Sequence, residues 1–282
     1  MKIGFCKLLW ATSVTGRHTH ILKDLKKTGY DGVEIPVFSG KPKDYAALGR
    51  LLDDIGLERT AITVIPDTAR NPASADKVAR AAAVDYLKWC VDCSVALGSS
   101  QVAGPLMQTL GHFSGKAPTA TEWKHSASVL RAAGGYAKDS GVMIALEAVN
   151  RFEIYFANTM DDLARFVRLI GHQNVKAMYD TFHANIEELD PVAAYSRNAK
   201  EVVYVHISEN DRGVPGRGHI PWKETFAALK KAKYDGWLTI EAFGRGLPEL
   251  AAATRVWRDF AESPEVVYRD GYRFIRGMWD RT

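Results

Sequence analysis

The sequence predicts a closed (β/α)₈ barrel, and three observations carry that prediction. Eight short β-like runs recur along the 282 residues. Amphipathic helical stretches separate them, which implies a parallel sheet built from right-handed crossovers. No G-x-G-x-x-G follows the first run, so an open dinucleotide-binding sheet lacks its main signal, and eight repeats fit the roughly 250 residues of a closed barrel better.

Taken in order, the runs are KIGFCKLL (2–9), GVEIPVF (32–38), RTAITVI (59–65), SQVAGPL (100–106), MIALEAV (143–149), VKAMYDTF (175–182), VVYVHIS (202–208) and WLTIEAF (237–243). HTHILKDLKKTGY precedes the second run, KDYAALGRLLDDIG the third and TMDDLARFVRLIG the sixth. Several of these helices end in glycine, as a left-handed C-cap requires. QTLGHFSGKAPTATEW, within 107–123, is the longest irregular stretch and is expected to lie over the catalytic face as a lid. SPEVVYRDGYRFIRGMWD, after the eighth helix, reads as a packed C-terminal helical extension. No linker, charge block or composition shift marks a second unit, so residues 1–282 are expected to form one barrel domain.

Composition narrows the function. A hydrophobic content of 46% with 25% charged residues is that of a chain able to bury a full core. The formal net charge is +4, and Lys and Arg are mixed with Asp and Glu instead of forming runs, which argues against nucleic acid as a partner. MKIGFCKLLW lacks the apolar core and cleavage site of a secretory signal, and no run reaches the length of a membrane span. A cytoplasmic enzyme with no membrane partner is therefore expected. Three cysteines, Cys6, Cys90 and Cys93, give no disulfide framework, and CVDC lies inside an amphipathic helix, where core packing is its expected role.

In such barrels the active site is built at the C-terminal ends of the strands. There the fifth to eighth runs offer Glu147, Asp180, His206 and Glu241. A buried carboxylate needs a partner, and four side chains of metal-binding type in matching positions on consecutive strands point to a cation as that partner. Three carboxylates and one imidazole, with no thiolate, suit a hard or borderline divalent ion. Mn²⁺ is the first expectation, with Co²⁺, Mg²⁺, Fe²⁺ and Zn²⁺ as alternatives. Glu153, His183 and Arg212 fall in the loops after the fifth, sixth and seventh runs, where they can reach a polyhydroxylated ligand.

ALEAVNRFE, MYDTFHANIEE, VHISENDRGVPGRG and TIEAF closely resemble the motifs of the D-tagatose 3-epimerase family, which includes the D-psicose (allulose) and L-ribulose 3-epimerases within the xylose isomerase-like superfamily. The resemblance covers nearly the whole barrel, and NRFE (150–153) and DTFHANIEE (180–188) are its most specific parts. It implies an Mn²⁺-dependent barrel that inverts C3 of a free ketose. It assigns Glu147, Asp180, His206 and Glu241 to the metal, Glu153, His183 and Arg212 to substrate, and the acid/base pair to Glu147 and Glu241. It also implies a homodimer or homotetramer. The chemistry agrees, because inversion beside a carbonyl needs one group to remove the proton on one face and another to return it on the opposite face.

Other readings use the same residues. An aldose–ketose isomerase of the hydroxypyruvate or inosose type, or a related sugar dehydratase, can be built on the same metal site. An endonuclease IV-like repair enzyme would need several early histidines, yet no His lies between His20 and His112. A sugar-sensing barrel without turnover would not need both Glu147 and Glu241. The loop with His112 and Phe113 departs from a confident match to the family. Gly244, Arg245 and Gly246 occupy a place where barrels often hold phosphate, which leaves a phosphorylated or acidic substrate open.

Overall fold

The computed structural model describes residues 1–282. In chain order, β1 (Lys2–Cys6) leads to α1 (Thr19–Thr28), β2 (Gly32–Pro36) to α2 (Pro42–Ile55), β3 (Glu58–Ile62) to α3 (Lys77–Leu97) and β4 (Gln101–Gly104) to α4 (Ala120–Asp139). The second half continues with β5 (Met143–Glu147) and α5 (Met160–Ile170), then β6 (Val175–Asp180) with α6 (Thr181–Glu187) and α7 (Pro191–Asn198). It ends with β7 (Val202–Ile207), α8 (Trp222–Lys231), β8 (Trp237–Ile240), α9 (Pro248–Thr254) and α10 (Pro264–Arg281). The strands pair in sequence order, and β1 closes on β8 through parallel partners such as Ile3 and Leu238.

Local sequence explains where elements stop. Gly29, Gly56 and Gly171 close α1, α2 and α5 in the left-handed conformation. The Thr159 hydroxyl accepts from the Asp162 amide at the start of α5, with Asp161 and Asp162 in the first turn. Leu163, Phe166, Val167 and Ile170 then form its buried face, each contributing about 1.5–3 kcal/mol by leaving water. Every expected run extends past its observed strand end, by up to three residues. β1 stops at Cys6, where Lys7–Leu9 turn into a 3-10 helix, and β3 stops at Ile62. The surplus residues stay apolar because Leu8, Leu9 and Ile65 are buried at the barrel rim, so their hydrophobicity records burial and not pleat.

Inside the barrel, Tyr204 is a plug. Its hydroxyl lies 2.8 Å from Thr60 Oγ1 on β3, Thr239 Oγ1 on β8 and Glu34 Oε1 on β2. Nearby space is tight enough that a Cβ at Gly4 would lie 2.7 Å from Thr239 Oγ1. This layer makes a floor beneath the strand ends. The main apolar core lies outside it, between strands and helices, and takes in Phe5, Tyr30 and Tyr268. α10 is the expected packed extension: Val267, Tyr268, Gly271 and Ile275 are buried, and the Tyr30 hydroxyl donates to the Tyr268 carbonyl at 2.7 Å. Cys90 and Cys93 are free thiols buried in α3, as expected for core packing. No helix is long and apolar enough to cross a membrane.

Candidate active site

Glu147 is the last residue of β5 and Asp180 the last of β6. His206 lies on β7 in direct register with Asp180, and Glu241 follows β8 immediately. All four side chains are buried, and each offers a ligand atom within 4.8 Å of the others. His206 Nδ1 is 3.4 Å from Asp180 Oδ2 and 3.7 Å from Glu241 Oε2. Asp180 Oδ2 and His206 Nδ1 are buried without a hydrogen-bond partner. Orphaned buried atoms are costly, and a divalent cation between them would satisfy both. The residues therefore fit a metal.

The helix cap at Asp180 supplies part of this geometry. Its Oδ1 accepts from the amides of Phe182 at 2.7 Å and His183 at 3.1 Å, which starts α6 and leaves Oδ2 facing the cluster. His183 is thereby placed on the first turn of a helix, where the sequence suggested a loop. Its ring is buried: Nδ1 accepts from the Asn150 amide at 3.0 Å, which leaves the ring proton on Nε2, with Arg212 Nη2 3.0 Å from that nitrogen. Burial and the Arg212 charge push its pKa down, so the ring is neutral.

Arg212 lies across the site. Its Nη1 pairs with Glu241, while Nη2 stands 4.0 Å from Glu153 Oε1. The guanidinium stacks 4.0 Å from the Phe182 ring centroid and 4.7 Å from that of Phe243. The backbone of Arg212 is left-handed (φ 65°), a conformation unfavourable for a residue with a Cβ. Two bonds hold it there: Arg212 N–H donates to the Glu209 carbonyl at 2.9 Å, and Phe243 N–H donates to the Arg212 carbonyl at 3.0 Å. Glu153 sits in the turn after β5, where Asn150 Nδ2 donates to its Oε1 at 2.8 Å.

Electrostatics separate the carboxylates. Burial and the nearby Glu241 charge push Glu147 well above the usual carboxylate range. Burial also acts on Glu241 and Asp180, but Arg212 and His206 outweigh it at Glu241, and His206, His183 and Arg212 outweigh it at Asp180, so both lie below that range.

Sequence reasoning missed three contributors. Glu34, wholly buried on β2, accepts from Tyr204 and lies 3.1 Å from His206 Nε2. Its signal was available, since GVEIPVF holds an acid inside an apolar run just as MIALEAV does. Asn150 joins His183 to Glu153. Glu209, also buried, accepts from the Gly216 amide at 2.7 Å and Trp222 Nε1 at 2.9 Å, folding the loop that carries Arg212. Only the tertiary fold reveals the last two.

The flanking segments are also defined. Thr109 pairs with Ile65 in a parallel bridge, and Gly111 N–H donates to the Glu153 carbonyl at 2.9 Å, so the stretch after β4 lies beside the Glu153 turn. Its last residues, Ala120–Trp123, are already helical because Thr119 and Glu122 form a capping box for α4. Arg245 is exposed and paired with Asp259 at 2.6 Å, and α9 begins only at Pro248, so the Gly244–Gly246 turn is an ordinary loop. A cavity of about 540 Å³ beside Ser13–Gly16, Tyr45 and Leu48 contains none of the four clustered residues. The donor chemistry, not cavity size, marks the site.

Residues 22–278 match the family described as xylose isomerase-like TIM barrel. The chain belongs to this family. Among relatives of this xylose isomerase-like barrel, the L-ribulose 3-epimerase of Mesorhizobium japonicum is 33% identical over 92% of the chain and 87% of that protein. A solved L-ribulose 3-epimerase superposes with a TM-score of 0.92 at 30% identity, covering 99% of this chain and 95% of the other. The D-allulose 3-epimerase of Methylomonas sp., solved in complex with D-allulose, gives a TM-score of 0.92 at 26% identity, covering 99% and 97%. The resemblance read from NRFE and DTFHANIEE is thus to relatives that share the whole barrel.

Proposed function

We propose that the chain is a divalent-metal-dependent ketose 3-epimerase acting on a free ketose. The observation that carries the reading is the convergence of Glu147 and Glu241, from strands three apart around the ring, on one buried cluster that also holds Asp180 and His206. The relatives named for epimerisation of L-ribulose and D-allulose support it. Two carboxylates approaching from different sides are what inversion requires. One takes the C3 proton as a base, leaving an enediolate, and the other, as an acid, returns a proton to the opposite face.

Glu147, Asp180, His206 and Glu241 would hold the metal. The bound ion would polarise the ketone and offset the negative charge that develops on its oxygen. A set of three carboxylates and one imidazole favours Mn²⁺, with Co²⁺, Mg²⁺, Fe²⁺ or Zn²⁺ as substitutes. Glu153, His183 and Arg212 would orient the sugar through its hydroxyls. Asn150 fixes His183 and Glu153, while Phe182 and Phe243 hold the Arg212 plane. A carboxylate is a weak base for a carbon acid, so such positioning must supply much of the rate. The three free cysteines accord with a cytoplasmic setting, and a homodimer or homotetramer belongs to the same reading, on the resemblance alone.

The test is NMR of a ketose panel (tagatose, fructose, psicose, ribulose, erythrulose) incubated in D₂O with the Mn²⁺-loaded protein and with a chelated control. Deuterium at C3 with a new C3 epimer, lost on chelation, supports the epimerase. Deuterium at C1 with an aldose product would assign an isomerase, and release of water a dehydratase.

A further inference from the structure

We propose that Cys6, Glu34 and Glu241 form a second, softer cation site, sharing Glu241 with the four-residue cluster, through which thiophilic ions silence the enzyme. The site is built by three adjacent strands. Cys6 ends β1, Glu34 is its direct register partner on β2, and Glu241 follows β8 on the other side of β1. All three side chains are buried, and their ligand atoms lie within 4.8 Å of one another. Sulfur and oxygen donors on one tetrahedral zinc-sized ion stand about 3.6 Å apart, from bond lengths of about 2.3 and 2.1 Å. Donors at the 4.8 Å limit would therefore close by about 1.2 Å to hold it.

A second observation points to a ligand. Glu34 Oε2 is buried without a hydrogen-bond partner, although Oε1 is committed to Tyr204 and His206. A cation beside Cys6 would satisfy Oε2 without disturbing Oε1. The two sites differ in chemistry. Glu147, Asp180 and His206 offer oxygen and imidazole nitrogen, which suit harder ions, whereas the Cys6 sulfur selects soft ones such as Cd²⁺. Without an ion, burial and the charges of Glu34 and Glu241 push the Cys6 thiol well up and keep it protonated. Binding exchanges that S–H proton, released to solvent, for an S–metal bond.

Glu241 is the point of conflict. A carboxylate ligated by the second ion no longer serves C3 of the ketose. The silencing therefore rests on the epimerase reading, whereas the binding does not. Cys90 and Cys93 lie on α3 and belong to no such group of metal-binding side chains.

The experiment titrates Cd²⁺ into the Mn²⁺-loaded full chain, following the thiolate-to-cadmium charge-transfer absorption in the ultraviolet, bound Mn²⁺ by electron paramagnetic resonance, and ketose turnover. The expected result is one equivalent of Cd²⁺ developing the band with Mn²⁺ retained and turnover falling roughly 100-fold, the scale on which a general acid/base acts. Cys6→Ser, with Cys6→Ala as a second variant should the first fold poorly, should turn over ketose yet give no band and resist Cd²⁺. Entry of Cd²⁺ only by displacing Mn²⁺, or equal inhibition of the Cys6 variants, overturns the proposal. A band without loss of turnover overturns the sharing of Glu241. If no ketose is turned over at all, the epimerase reading fails, while the band and its loss in Cys6→Ser still decide the site.

Discussion

His206 stands between two kinds of partner: Nε2 lies 3.1 Å from Glu34 Oε1, and Nδ1 lies 3.4 Å from Asp180 Oδ2 with no hydrogen-bond partner of its own. A proton held on Nε2 by Glu34 leaves the Nδ1 lone pair free for a metal, the arrangement in which a carboxylate fixes the tautomer of a ligating histidine. Glu34→Gln should weaken Mn²⁺ binding by about 10–100-fold. Calorimetric titration would measure it, and wild-type affinity would refute the role.

Glu147→Gln and Glu241→Gln should each lower kcat by at least about 10²–10⁴-fold. Deuterium incorporation at C3 distinguishes the step lost, since a base variant makes neither exchange nor epimer. Near-normal turnover in either variant, at saturating metal, would refute a two-base mechanism.

Arg212→Lys replaces a planar fork, stacked between Phe182 and Phe243, with a point charge. The expected loss in kcat/KM is about 1.5–3 kcal/mol, the scale of a hydrogen bond to a charged group, carried mainly by KM if Arg212 binds the sugar before reaction. Steady-state kinetics would show it, and an unchanged KM with an unchanged kcat would remove Arg212 from the site.

Lys7 is wholly buried, its Nζ has no hydrogen-bond partner, and it lies 4.0 Å from the Trp10 ring centroid. Burial pulls its pKa from 10.5 to about 7. Between these values the unfolded chain binds the proton and the folded one does not, so stability rises with pH through that window. The burial cost is fully present below about 7. Lys7→Met should raise Tm at pH 7, and the advantage should shrink towards pH 10. Thermal melts across that range would measure it, and a pH-independent difference would contradict the assignment.

Chelation should lower Tm, because any ion bound only by the folded state stabilises it by RT ln(1 + [L]/Kd). For Mn²⁺ at about 100 times Kd, the shift corresponds to about 2.7 kcal/mol. A melt unchanged by added Mn²⁺ would argue against the four-residue site.

The barrel was legible because its period is simple. Apolar runs and glycine-capped helices repeat eight times, and the acids at the ends of β5, β6 and β8 break an apolar pattern where only a functional reason tolerates them. TFHANIEE does not itself disclose that Asp180 serves as a helix cap, so the sequence pattern places His183 in a loop. Glu34 carries the same signal as Glu147, yet its meaning depends on Tyr204 and His206 on β7, five strands away in sequence and adjacent only through the closed ring. Glu209 and Asn150 act through backbone turns that no residue pattern specifies. Strand ends beyond Cys6 and Ile62 were overextended because hydrophobicity reports burial more directly than pleating.

Asp180 commits one carboxylate oxygen to the first turn of α6 and presents the other to the four-residue cluster. A metal bound there, as proposed, would be reciprocally linked to the order of α6: whatever tightened one would raise the occupancy of the other. His183 rides on that turn, so in its proposed role toward the sugar it would lose its seat when the ion is stripped. Amide protection along Thr181–Glu187 would then serve as a gauge of cofactor loading, readable without substrate.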